Sequence, residues 1–204
     1  MEEYWIEEPS SGRSVSLARR RFLRTGAIGA AALLWGKSLE ATEECTETED
    51  NIEGPFYKPG APERSTLVED GIAGTRLTVS GRILGTNCVP LAGALLDVWQ
   101  ADDNGQYDNA GFKLRGRFHA DSSGNYRLHT IVPRHYRVSR SSYRPSHIHV
   151  KVSATGVPLL TTQIYFRGDP YNATDSAFRQ SLAVTPVDAS GGKAVTFNFV
   201  LRAG

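Results

Sequence analysis

Glutamate is missing from most of this chain of 204 residues, in which the last glutamate is Glu69. Every carboxylate side chain after that position belongs to an aspartate. A mechanism that needs a glutamate as general base or as metal ligand in the main part of the chain is therefore disfavoured. The apolar fraction of 40% and the charged fraction of 22% are ordinary for a globular protein. The length suits one domain with a sizeable core.

Long hydrophobic runs are also missing. The apolar run at residues 26–35 covers about ten residues, which is too short to cross a bilayer but typical of a signal peptide. Arg19, Arg20 and Arg21 precede it, as in a twin-arginine export signal. We therefore predict a signal segment at 1–41, a domain at 42–204, export to the periplasm or the extracellular space, and no stable membrane span. The weaker alternative is a basic amphipathic helix on a membrane surface.

Cysteine is scarce, since Cys45 and Cys88 are the only two in the chain. Outside the cytoplasm two such thiols can pair. On the chain-entropy estimate, closing a loop of this length would stabilise the fold by roughly 4 kcal/mol. The alternative is two unrelated buried thiols. We favour the disulfide.

Helical periodicity is absent after residue 60, where short apolar or alternating runs recur between Gly, Pro, Asn and Asp residues. The pattern predicts an all-β fold, an antiparallel β-sandwich with long active-site loops at 102–124 and 133–146. Basic side chains are scattered rather than clustered, which argues against a nucleic-acid partner. The predicted strands are 76–84, 94–101, 125–132, 147–153, 159–166 and 194–202.

His147 and His149 lie in a strand-like run, so their side chains project from the same face, about 7 Å apart along the strand. Two imidazoles on one face can bind one metal ion, although a lone His-x-His is more often a coincidence. A third histidine or a glutamate is hard to find nearby. Tyr107 and Tyr136 lie in the two long loops and could supply oxygen ligands instead.

Five segments carry a resemblance to a known family. The Arg-Pro-Ser-His-Ile-His run at 144–149, with a Pro-x-x-Tyr at 133–136 upstream, is the most specific of them. In this order the set resembles the intradiol ring-cleavage dioxygenases of the protocatechuate and catechol type, over roughly residues 53–170. The segments are Glu-Gly-Pro-Phe-Tyr at 53–57, Asp-Val-Trp-Gln-Ala at 97–101 continuing to Tyr107, Ile-Val-Pro at 131–133 continuing to Tyr136, the run at 144–149, and Thr-Gln-Ile-Tyr-Phe at 162–166.

The resemblance implies a non-haem Fe(III) enzyme that uses O2 to open the ring of a catechol-type diol between its two hydroxylated carbons, giving a muconate-type diacid. Tyr136 matches the ligand that leaves the iron when the substrate arrives, and thereby acts as a base. Arg144 and Gln163 match pocket residues that stabilise the reacting diol, with Arg144 assisting catalysis through its charge. The implied metal ligands are Tyr107, Tyr136, His147 and His149.

Two other functions remain open from the sequence. The segment from Gly81 to Ala94 also resembles transthyretin-like β-sandwich modules, which bind or brace rather than catalyse. A zinc hydrolase that uses the histidine pair with an aspartate lacks an obvious motif. The sequence does not name the diol, and it leaves an oligomer open.

Overall fold

The computed structural model describes residues 45–203, so the predicted signal segment at 1–41 lies outside the described residues. This part consists of twelve strands and one short 3-10 helix at Gln180–Leu182. Within it, no helix is long and apolar enough to cross a membrane. The strands are β1 (Arg76–Gly85), β2 (Leu95–Gln100), β3 (Arg115–His119), β4 (Asn125–Ile131), β5 (Tyr136–Arg137), β6 (Tyr143–Arg144), β7 (His147–Ser153), β8 (Leu160–Phe166), β9 (Ala183–Val184), β10 (Val187–Ala189), β11 (Gly192–Thr196) and β12 (Phe199–Leu201).

The strands form two five-stranded sheets and one small hairpin. The first sheet has the order β10-β11-β1-β12, with β4 also pairing with β1. The second sheet has the order β3-β2-β7-β8-β9, and β5 pairs with β6. The predicted all-β sandwich is confirmed. Most pairings are antiparallel, but β1 pairs in parallel with β11 and β12, and β8 pairs in parallel with β9.

Alternation along the strands decides which side chains enter the core between the sheets. In β1, Leu77 and Val79 are buried in the main hydrophobic cluster. In β7, Ile148 and Val150 belong to the same cluster. Because neighbouring residues of a strand point to opposite faces, the histidines of β7 lie on the face that turns away from this core.

One row of side chains crosses four strands on this outer face of the second sheet. Arg115 of β3 is opposite Trp99 of β2, and Trp99 is opposite His149 of β7. His149 is in turn opposite Gln163 of β8. Residues far apart in the chain are thus brought side by side by register alone.

The segment 45–57 passes from β12 of the first sheet, where Thr48 donates its backbone N–H to the carbonyl of Val200, to the outer face of the second sheet. It is fixed at its start by a disulfide between Cys45 and Cys88, whose Cα atoms are 5.2 Å apart. Further along, Asn51 donates its backbone N–H to the carbonyl of Thr161 at 2.8 Å. The favoured disulfide is therefore present, and it anchors a segment that covers the face carrying the histidines.

Two elements differ from the prediction. The strand β3 lies inside the predicted loop 102–124, and its Arg-Gly-Arg-Phe-His sequence has too few apolar residues to stand out. The predicted strand 194–202 is two strands, β11 and β12. They pair with successive parts of β1 and meet at Gly81, where an added Cβ would lie 1.9 Å from the Phe197 carbonyl oxygen. Only glycine at position 81 leaves room for the link between β11 and β12 to pass this close to β1.

Candidate metal centre

The two histidines of β7 form one half of the candidate site. Both are buried, and their Nε2 atoms are 3.1 Å apart. The Nδ1 atom of His147 is 2.6 Å from the carbonyl oxygen of Pro145. The hydrogen bond to this carbonyl places the proton on Nδ1, so the unprotonated Nε2 faces His149. A backbone carbonyl that orients the ring in this way is the usual companion of a metal-binding histidine.

Trp99 fixes the second imidazole. Its ring lies parallel to that of His149, with centroids 4.7 Å apart and an interplanar angle of 2°. This stacking follows from the register that places the two residues opposite each other. The Nδ1 atom of His149 is buried and has no hydrogen-bond partner among residues 45–203. The ring is therefore held by packing, with its Nε2 atom directed at His147.

Tyr107 reaches the histidines from the loop between β2 and β3. Its hydroxyl is 3.3 Å from the Nε2 atom of His147, and its ring stacks on Phe56 with centroids 4.2 Å apart. The loop turns at Gly105, which has a φ of 76°. A Cβ there would lie 2.8 Å from the carbonyl oxygen of His135, so glycine lets this loop approach the neighbouring one.

Tyr136 approaches the same point from the second long loop. Its ring centroid is 5.5 Å from that of Tyr107 and 5.7 Å from that of His147. It begins β5, where it is paired with Arg144 of β6. The side chains predicted as ligands are thus brought together by one strand and two loops.

The electrostatics of the four side chains suit a hard cation. Burial raises the pKa of Tyr107 well above its usual value and raises that of Tyr136 as well. Burial, reinforced by the charge of Arg144, lowers the pKa of His147 to about 3. Burial also holds the pKa of His149 well below its usual value. By themselves the four donors are neutral, and a cation among them would favour ionisation of the phenols.

The residues present fit a site of two nitrogen and two oxygen donors. Within residues 45–203 there is no group of three or more His, Cys, Asp or Glu that could hold a metal ion. The close pair of imidazole nitrogens therefore depends on the tyrosine hydroxyls to complete a ligand set. Phenolate oxygens suit a hard, highly charged ion such as Fe(III).

Arg144 lies beside the His147 nitrogen that faces His149. One terminal nitrogen of its guanidinium is 3.4 Å from His147 Nε2. The other donates to the side-chain oxygen of Gln163 and to the hydroxyl of Tyr165, each at 2.9 Å. It also donates to Asp175 Oδ2 at 3.0 Å, and the two side chains are only 10% and 8% exposed. The arginine is thus held rigidly with its charge at the candidate metal centre.

Gln163 is fully buried and joins the arginine to the covering segment. Its amide nitrogen donates to the carbonyl of Ile52 at 2.7 Å and to the side chain of Asn51 at 3.2 Å. Its side-chain oxygen accepts the bond from Arg144. The two predicted pocket residues are therefore direct neighbours.

Three further residues of the site were not predicted from the sequence. Phe56 belongs to the motif at 53–57, but its stacking on Tyr107 could not be deduced from that motif. Tyr165 belongs to the motif at 162–166, from which no role for it was predicted. Asp175 lies in an irregular loop 31 residues after its partner Arg144, and a lone aspartate in such a loop gives no signal.

A family comparison bears directly on this arrangement. The family model described as "Dioxygenase" matches residues 52–203, which includes every side chain of the candidate site. The chain belongs to the intradiol ring-cleavage dioxygenases. Members of this family are oxidoreductases, so the transthyretin-like binding module and the zinc hydrolase are no longer needed as explanations.

Relatives and solved structures agree with the family assignment. This dioxygenase is 33% identical over 186 residues to chlorocatechol 1,2-dioxygenase of Rhodococcus opacus, covering 76% of this chain and 72% of the relative. It is 37% identical over 153 residues to hydroxyquinol 1,2-dioxygenase of Rhizobium sp., covering 64% and 52%. The chain thus spans about half the length of the second relative.

Among solved structures, one similar fold is the dioxygenase domain of a dioxygenase–carbohydrate-binding protein fusion from Streptomyces sp. SirexAA-E. Its TM-score is 0.71 at 45% sequence identity, covering 78% of this chain and 100% of that one. 3-Chlorocatechol 1,2-dioxygenase from Rhodococcus opacus 1CP gives a TM-score of 0.72 at 29% identity, covering 77% and 73%. The sandwich of this dioxygenase is therefore the fold that the family shares.

Proposed function

We propose that this dioxygenase binds one ferric ion and uses O2 to cleave the ring of a catechol-type diol between the two hydroxylated carbons. The observation that carries the proposal is the clustering of four donor side chains around His147, with the ring of Tyr136 5.7 Å from the imidazole ring. The hydroxyl of Tyr107 is 3.3 Å and the Nε2 atom of His149 is 3.1 Å from the same atom, Nε2 of His147. The proposed ligands are Tyr107, Tyr136, His147 and His149.

Ferric iron, when bound, would supply the Lewis acidity that holds both diol oxygens in their anionic form. With ferric iron bound, Tyr136 would be ionised and suited to take one diol proton at its Oη atom, because it lies on a two-residue strand at the end of a loop rather than in the main sheet. The second diol proton would go to hydroxide from the solvent. The guanidinium of Arg144, 3.4 Å from His147 Nε2, would stabilise negative charge that develops on the bound substrate. Gln163 and Asp175 hold that guanidinium in place. No glutamate base is required.

The visible absorption of the ferric protein tests the proposed metal site. We expect the ferric protein to be red to purple from phenolate-to-iron charge transfer, and Tyr107→Phe to lose most of this absorption because one phenolate is removed. The control is Tyr126→Phe, which changes a buried tyrosine of the first sheet whose hydroxyl donates to the Phe197 carbonyl at 2.7 Å. This control should keep its colour and its iron. A colourless wild-type protein with stoichiometric zinc would contradict the proposal.

The substrate class is tested by oxygen uptake. The names of the relatives contain chlorocatechol, hydroxyquinol and catechol, which supports a diol with adjacent hydroxyl groups. Catechol, protocatechuate, hydroxyquinol and chlorocatechol should be compared side by side, with resorcinol as a control whose hydroxyl groups are not adjacent. Oxygen uptake with resorcinol but not with the adjacent diols would contradict the proposal.

A further inference from the structure

Arg115 is a buried cation to which the proposed reaction assigns no role. It is 1% exposed, and its guanidinium donates only to backbone carbonyls: to Phe56 at 2.6 Å, and to Asp108 at 3.2 and 3.0 Å. None of the ion pairs in residues 45–203 includes it. Burying an arginine without a carboxylate partner is unfavourable unless its donors are well satisfied. The fold nevertheless places this cation beside the metal centre.

One of the two carbonyls that Arg115 binds belongs to the loop that carries Tyr107, and the other belongs to the segment that packs on the Tyr107 ring. Asp108 directly follows Tyr107 in the loop, and Phe56 stacks on the tyrosine ring with an interplanar angle of 14°. The guanidinium carbon of Arg115 itself is 6.0 Å from the centre of that ring. One side chain therefore connects the loop, the covering segment and the strand β3.

The register extends this connection to the histidines. Arg115 is opposite Trp99, and Trp99 is opposite and stacked on His149. The guanidinium thus fixes the position of the Tyr107 loop relative to the same row of side chains that positions the imidazole. On the other loop, Arg144 is paired with Tyr136 and binds the side chains of Gln163 and Asp175.

We propose that Arg115 is a positioning residue, which ties the Tyr107 loop to the covering segment and so holds the Tyr107 hydroxyl at the candidate metal centre. The proposal rests on the proposed iron site. It explains why a buried guanidinium donates here to two backbone carbonyls, because these bonds join the Tyr107 loop to the covering segment.

The test compares three variants of the ferric protein. Arg115→Met should lose iron to a competing chelator at about 10- to 100-fold lower chelator concentration than wild type, as is usual when a partner of a metal ligand is removed. Its charge-transfer band should weaken or shift. Arg115→Lys should recover part of the loss, because an ammonium can reach one carbonyl but not both. The control is Arg117→Met, on the same face of β3, whose side chain is 42% exposed; it should match wild type.

A second measurement separates positioning from a general loss of stability. If Arg115 acts through Tyr107, Arg115→Met should add little further iron loss in the Tyr107→Phe background. An undiminished effect there, or iron retention equal to that of Arg117→Met, would overturn the proposal. If Arg115→Met does not fold, the same comparison in the Tyr107→Phe background is made with Arg115→Lys.

Hydrogen exchange of the metal-free protein gives a readout that needs no iron. Backbone amides in the loop 102–114 should exchange faster in Arg115→Met than in Arg117→Met, whereas those of β7 should not change. Equal exchange in the loop would refute the positioning role even if the wild-type protein binds iron. A wild-type protein that binds no iron would instead refute the proposed function, whatever the loop does.

Discussion

The histidine half and the tyrosine half of the proposed metal centre are built in different ways. His147 and His149 lie on β7, the central strand of the second sheet, so neighbouring strands on both sides set their positions. Tyr107 and Tyr136 lie on loops and need separate contacts to reach the same point. The comparison teaches that the sheet supplies a fixed pair of nitrogens, and that the loops supply oxygens whose positions depend on a few distant residues.

The strongest test of the histidine half is His149→Ala. Because the side chain is fully buried and supplies one of only two nitrogens, we expect iron binding and colour to be abolished, a loss of more than about 100-fold in retention. Metal analysis after gel filtration measures this. The sandwich should still fold, since the residue lies outside the main core. An iron content equal to that of wild type would show that the histidine pair of β7 is not the metal site.

Asp175→Asn tests whether the carboxylate of Asp175 positions the positive charge of Arg144 at the proposed metal centre. The ion pair from Asp175 Oδ2 to Arg144 is 3.0 Å long and almost fully buried, so weakening it should misplace the guanidinium. We expect kcat to fall about 100-fold, the scale of a 1 Å misplacement, while the iron content and the absorption band stay unchanged. Steady-state oxygen uptake with the preferred diol measures the rate.

Asp175→Glu is the matched control for this variant, because it keeps the negative charge. It should restore part of the rate. Loss of iron in Asp175→Asn would instead mean that the aspartate supports the ligands and not the arginine.

Asp169→Ala should have the smallest effect, on stability rather than on chemistry. The buried carboxylate of Asp169 accepts the backbone N–H of Ser146 at 3.0 Å and lies 3.5 Å from the ring of His135. It therefore links the start of β7 to the loop that carries Tyr136. Leaving these donors without a partner should lower the free energy of unfolding by about 1–3 kcal/mol.

Urea unfolding of the metal-free protein measures the change in Asp169→Ala. Asp188→Ala, in which an exposed ion pair is removed, should leave the free energy of unfolding nearly unchanged because solvent screens the pair. If the two variants were equally stable, the link between the halves would not contribute to the fold.

The difference between ligands on a strand and ligands on loops also explains how much of the site could be predicted from the sequence. The alternation of β7 follows directly from the period of a strand, so the common face of His147 and His149 could be predicted. The tyrosines could be named only through the order of the family motifs. Asp175 and Arg115 could not be predicted, because their partners are 31 and 59 residues away and only tertiary contact brings them together. The strand β3 was missed because the buried guanidinium of Arg115 looks like a surface charge in the sequence.

The main core and the proposed metal centre occupy opposite faces of the same strand. Odd-numbered positions at the start of β7 carry the imidazoles and even-numbered positions carry the aliphatic side chains of the core. A deletion or insertion of one residue in β7 would exchange these two sets of side chains between the faces of the strand. It would place the imidazoles in the hydrophobic core and the aliphatic side chains at the proposed metal centre. Substitutions, by contrast, can alter one face and leave the other intact. Such a strand can evolve new ligand chemistry without losing its scaffold, provided its length in residues does not change.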